Sequence, residues 1–168
     1  MMKKLLLGLW LLGLTYPCMA KDWNGIVPLK STRADVERRL GQPKDDLDGR
    51  YYFVDEIVTI QYSGFKCGEV PRIEGWPVSP VRWNVKPDVV TSIGVKLRRA
   101  VPLSSLSVDL SKFKRTSRGH LTSIFYYHNE TEGFTIEAFE EEGKEMIRGF
   151  IYEPGAGNEA LLCPAKKN

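Results

Sequence analysis

Histidine is almost missing from this chain, with two copies among 168 residues, at positions 120 and 128. His120 and His128 flank the stretch LTSIFYY on the same parity, ~27 Å apart if that stretch is an extended strand. Such a separation excludes a shared metal ion or proton relay, so both are expected to be surface or structural residues. Cysteine is scarce too: Cys18, Cys67 and Cys163 are the only copies, and none has a second Cys or His at zinc-ligand spacing. No metal or cofactor site is therefore predicted. A strong net charge is also lacking, with 24 basic against 21 acidic side chains, which argues against general nucleic-acid binding. The apolar run from Leu5 to Leu14 stops at Thr15 and Pro17, short of the ~20 residues that cross a bilayer.

That run, preceded by Lys3 and Lys4 and followed by Cys18-Met19-Ala20, has the three-part plan of a secretory signal peptide. Cleavage is expected after Ala20, leaving residues 21–168 as a single α+β domain of about 148 residues. Lysines 3 and 4 leave with the signal, so 22 basic side chains then face 21 acidic ones. Lipoprotein anchoring at Cys18 is disfavoured, because Pro17 occupies the place where lipidation needs a small residue. Localisation is expected to be exported, periplasmic or secreted. In an oxidising compartment Cys67 and Cys163 form an even pair and are predicted to bond; two independent buried thiols are the alternative.

The clearest helix runs from Thr32 to Leu40. Ser31 or Thr32 caps it, Asp35 suits its positive end, Val36 and Leu40 share one face, and Gly41 and Pro43 stop it. RYYFVD and EIVTIQYS read as a hairpin around Asp55-Glu56, with Val58, Ile60 and Tyr62 on the dry face. VVTSIGVKL is a third strand, alternating through residues 89–97. Between them, 64–87 is a long loop rich in proline and glycine that carries Trp76, Trp83 and Cys67.

A shift of 74 residues lays Val27-Pro28-Leu29 on Val101-Pro102-Leu103, Asp35 on Asp109, and Tyr51-Tyr52-Phe53 on Phe125-Tyr126-Tyr127. Two further residues place Val58-Thr59-Ile60 on Phe134-Thr135-Ile136. The expected fold is thus an antiparallel sheet with a helix packed on one face, built from two diverged α-β-β-β repeats at about 27–97 and 101–152. The second helix is reduced to a short turn and MIRGFIY is the last strand; coincidence between two amphipathic units is the alternative.

Thr32-x-x-x-Val36-x-x-x-Leu40-Gly41-x-Pro43 resembles the opening helix of the SmpA/OmlA (BamE-like) envelope proteins and of β-lactamase-inhibitory-protein-like domains. Lys30 stands where those families usually carry glycine. The wider sequence is similar to exported bacterial proteins of unknown function. The resemblance implies a helix packed on an antiparallel sheet and, by analogy alone, an inhibitor.

Among chemistry-bearing clusters, Asp46-x-Asp48-Gly49 with Asp55 reads as a turn, since Lys44 would occupy the first position of a calcium loop. Gly155–Ala160 superficially matches a dinucleotide fingerprint but lacks a following helix and strand. Asn129-Glu130-Thr131 is a hairpin turn, and a glycosylation sequon only in a eukaryotic host. Lys112, Lys114, Arg115 and Arg118, preceded by Lys96, Arg98 and Arg99, form a basic patch suited to an acidic partner or to weak contact with anionic lipid. No catalytic residues are assigned. The expected function is a non-catalytic protein-binding or scaffolding module of the cell envelope, with an unidentified envelope or extracellular protein as partner. Trp76, Trp83 and the basic patch are its candidate contacts. A secreted inhibitor is the alternative, and a hydrolase using the glutamates of 137–145 a weaker one.

Overall fold

The computed structural model describes residues 20–44, 49–64, 67, 83–117 and 124–163. Among these residues one helix, α1 (Arg33–Leu40), accompanies seven strands: β1 (Arg50–Tyr52), β2 (Glu56–Tyr62), β3 (Val90–Pro102), β4 (Lys114–Ser117), β5 (Ile124–Asn129), β6 (Phe134–Glu141) and β7 (Lys144–Tyr152). All seven share one sheet in the order β1-β2-β3-β7-β6-β5-β4, with every neighbouring pair antiparallel.

Helix α1 forms where its local signals agree. Thr32 is the N-cap: its hydroxyl accepts from the Asp35 amide while the Asp35 carboxylate accepts from the Thr32 amide at 2.9 Å, a reciprocal capping box. Ser31 instead accepts from the Val27 amide, closing the turn before the helix. At the far end Gly41 takes φ +80, a conformation β-carbons resist, and its amide returns to the Glu37 carbonyl. Val36 is fully buried and Leu40 packs beside it.

The sheet's dry face carries Val58, Ile60, Ile93, Val95, Ile136, Ala138 and Ile147, all buried in one cluster with Val36. Cross-strand partners keep this parity, Val58 facing Val95 and Ile60 facing Ile93. Helix α1 lies at the β1–β3 half, where Val36 enters the cluster and the Arg33 guanidinium sits 4.0 Å above the Tyr62 ring of β2. Over the other half, residues 103–113 make two single 3₁₀ turns rather than a helix, laying Leu103, Leu106, Val108 and Phe113 on the cluster. The Phe113 and Phe134 rings meet edge to face, 6.0 Å apart. The segment before α1 ties both halves together. The Lys21 amide donates to the Glu132 carbonyl at 2.9 Å, its ammonium sits 3.9 Å above the Phe134 ring, and Trp23 packs beside Phe53.

The structure differs from the sequence expectation at three strands, one of which, the edge strand β4 within the basic stretch, has no counterpart in that expectation. β3 runs on to Pro102 instead of ending at Leu97, taking in the start of the second Val-Pro-Leu phrase. Its pairing with β7 jumps from Lys96↔Gly149 to Val101↔Ile147, a bulge that turns consecutive charged residues toward solvent and so breaks alternation. His128 lies within β5 rather than beside it, because that strand starts at Ile124 and reaches Asn129.

Candidate functional site

The face of the sheet opposite α1 is ordered by two rows of side chains that cross all seven strands. One row runs Arg50, Thr59, Gly94, Ile151, Thr135, His128, Lys114; the next runs Tyr52, Ile57, Lys96, Gly149, Glu137, Tyr126, Thr116. Each row has a glycine on a central strand, Gly94 on β3 and Gly149 on the neighbouring β7. With no side chain at either position, the middle of the face is a hollow of about 480 Å³ bounded by Arg50, Tyr52, Ile57, Thr59, Lys96, Glu137 and Ile151.

The two glycines are bare for different reasons. A β-carbon on Gly149 would lie 2.5 Å from the Val95 carbonyl oxygen, so the backbone itself demands glycine. On Gly94 it would meet nothing nearer than the Thr59 carbonyl oxygen at 3.9 Å, an ordinary contact. Tyr52, Ile57 and Ile151 supply an apolar rim, and Tyr52 is 41% exposed. Lys96 is exposed, and its ammonium has no hydrogen-bond or ion-pair partner among the described residues. The Glu137 carboxylate is already engaged, by the Arg148 guanidinium and by the Tyr126 hydroxyl at 3.2 Å. That ion pair raises the Arg148 pKa, fixing its charge. Farther along, the His128 ring is held between two hydroxyls, Thr116 and Thr135, each 3.0 Å away, and stacks on Tyr126. His128 thus has a structural place, as the sequence suggested.

The basic patch is divided by strand parity. Lys114 belongs to the open face, whereas Arg115 points to the other side, over the Phe125 ring at 3.8 Å and paired with Glu145 at 3.0 Å. Glu145 also takes a hydrogen bond from Tyr127, whose pKa is raised by burial and by that bond. Lys112 closes the second 3₁₀ turn and is exposed. Arg118 and His120 lie outside the described residues, as do Trp76, Asp46, Asp48 and Cys18. The glutamates of 137–145 are spread along β6, the Glu142-Gly143 turn and β7, and those with partners are ion-paired across strands. Gly155–Ala160 leads into a single 3₁₀ turn.

Cys67 and Cys163 are bonded, their Cα atoms 5.4 Å apart. Trp83 is half-buried and its backbone bridges Leu162, while the Asn84 amide donates to the Leu161 carbonyl at 2.7 Å. Residues 161–163 therefore grip the chain at 67 and again at 83–84. The hollow itself was not anticipated from the sequence. Its signal was the lone glycine inside each of two strand patterns, SIGVKL and IRGFIY. Among the described residues no three His, Cys, Asp or Glu side chains gather as a metal site, and no helix is long and apolar enough to cross a membrane. No family model, no curated protein and no solved structure matches the chain.

Proposed function

We propose that this protein is an exported, non-catalytic binding module of the cell envelope that holds a protein partner on the open face of its sheet. The observation that carries the reading is the hollow above Gly94 and Gly149, rimmed by tyrosine, isoleucine and a lysine that no described residue neutralises. Concave sites with an apolar lining and a few placed charges are where proteins recognise ligands. The disulfide is compatible with export and supports that part of the proposal. Removal of residues 1–20 would leave Lys21 at the start of a segment already bound to the Glu132 carbonyl and the Phe134 ring.

The same proposal takes the two halves as diverged copies. Strands β1-β2-β3 and β5-β6-β7 are successive three-stranded meanders that meet antiparallel at β3 and β7. The offset that aligns the two Val-Pro-Leu phrases, lengthened by two residues, matches Val58 and Ile60 with Phe134 and Ile136, all four buried in one core cluster. This supports a duplication in which the second helix has shortened into 3₁₀ turns.

Replacing Tyr52 with a photo-reactive phenylalanine analogue in intact cells tests the binding role. A defined envelope protein should be captured there and not from the same label at Glu142, on the β6–β7 turn. Equal capture at both positions, or none at either, would defeat the proposal. Should the captured protein be a hydrolase slowed by binding, the module acts as an inhibitor.

A further inference from the structure

Gly94 is a mid-strand glycine that the fold does not require. It sits inside the long central strand β3, its φ is not positive, and a β-carbon would make only an ordinary contact, 3.9 Å from the Thr59 carbonyl oxygen. Glycine weakens a strand, since it has no side chain to pack and more freedom to lose on folding. A mid-strand glycine that no neighbouring atom requires leaves the backbone bare for close approach by a ligand or another chain. Among the described residues the one carboxylate lining the hollow, Glu137, is already neutralised by Arg148, while Lys96 stands beside Gly149 with its charge unmet by any of them.

Building on the binding-module reading, we infer that the occupant is an acidic segment of a partner protein. Its Asp or Glu carboxylate sits against Lys96, its backbone lies over Gly94, and apolar neighbours pack on Tyr52, Ile57 and Ile151. A recessed floor with an apolar rim and one unmet cation suits a side chain entering between strands better than a flat lipid surface. It also separates the roles of the glycines: Gly149 serves the backbone and Gly94 serves the partner.

A random dodecapeptide library displayed on phage, panned against the disulfide-intact protein, tests this. Enriched peptides should carry Asp or Glu beside an apolar residue. A synthetic peptide of that sequence should bind Gly94→Val and Lys96→Glu about tenfold more weakly or worse. Gly94→Val should melt no lower than the unaltered protein, because valine is the better strand former. Changing the peptide's acid to its amide should have the same effect as Lys96→Glu. Enriched peptides without an acid, or equal binding by Gly94→Val, would overturn the inference while leaving a binding module that uses another face. Adsorption to phosphatidylglycerol vesicles, unchanged in Gly94→Val and without any selected peptide, would overturn it in favour of a lipid surface. No enrichment, together with no adduct from Tyr52, would sink both this inference and the reading beneath it.

Discussion

Replacing Cys67 and Cys163 together with serine removes a cross-link between residues 96 positions apart. In the chain-entropy treatment, a loop of that length restricts the unfolded chain by about 4.7 kcal/mol at 25 °C. Folded domains are stable by only ~5–15 kcal/mol, so a contribution of this size is roughly three tenths of the total or more. The native contacts at the loop's neck, the Trp83–Leu162 bridge and the Asn84–Leu161 hydrogen bond, are backbone contacts that involve neither sulfur, so the loss is expected to arise in the unfolded state. Both cysteines are replaced to avoid leaving a lone thiol. Urea titration followed by far-ultraviolet circular dichroism should give a free energy of unfolding lower by about 4–5 kcal/mol. The melting temperature should fall by roughly 10–20 °C. The urea dependence should steepen, since an unlinked chain exposes more surface on unfolding. A difference below ~1 kcal/mol, with unchanged urea dependence, would refute the assignment of the effect to the unfolded chain.

The capping box sets an acid limit. Hydrogen bonds from Thr32, with help from Arg38, hold the Asp35 carboxyl down at about 2. Its folded pKa is depressed, so its stabilisation is present above the ordinary carboxylate value and fades as pH falls toward 2; Asp35→Asn should flatten stability over that window in acid titrations. Thr32→Ala should lower the free energy of unfolding by about 1 kcal/mol by the same urea assay, and no change would deny the cap a role. At the alkaline end, burial pushes Tyr152 up to about 12, so the neutral form is favoured and stability is lost as pH rises from 10 through 12. Tyr152→Phe should reduce that loss, and identical alkaline melting curves would count against it. Ile93, fully buried on central β3, should cost about 1 kcal/mol as valine and ~2–5 kcal/mol as alanine; an alanine variant as stable as the parent would contradict its place in the core.

Much of the architecture is written locally. Thr32, Asp35, Val36 and Gly41 specify α1 because cap, dipole, face and stop all act within a turn or two. The β1–β2 hairpin and the start of β3 are legible from alternation for the same reason. The extension of β3 is not, because the bulge at Leu97–Ala100 is defined by the register of β7, some fifty residues later. The candidate site is harder still to read. Gly94 and Gly149 become one floor only when β3 and β7 pair, and Lys96 stands out only once Glu137 is seen committed to Arg148. Strand parity likewise sends Lys114 and Arg115, neighbours in sequence, to opposite faces and divides a patch that composition presents as one.

The grip of residues 161–163 on positions 67 and 83–84 decides what a single proteolytic cut would do to the molecule. A protease that cuts once anywhere from 68 to 83 produces two polypeptides, one ending with Cys67 in it and the other holding Cys163. The bond between them, and the sheet that both pieces build, keep the halves in one particle. On a gel the nicked protein would run intact until a reductant is added, and its open face, made by strands on both sides of the cut, would stay assembled.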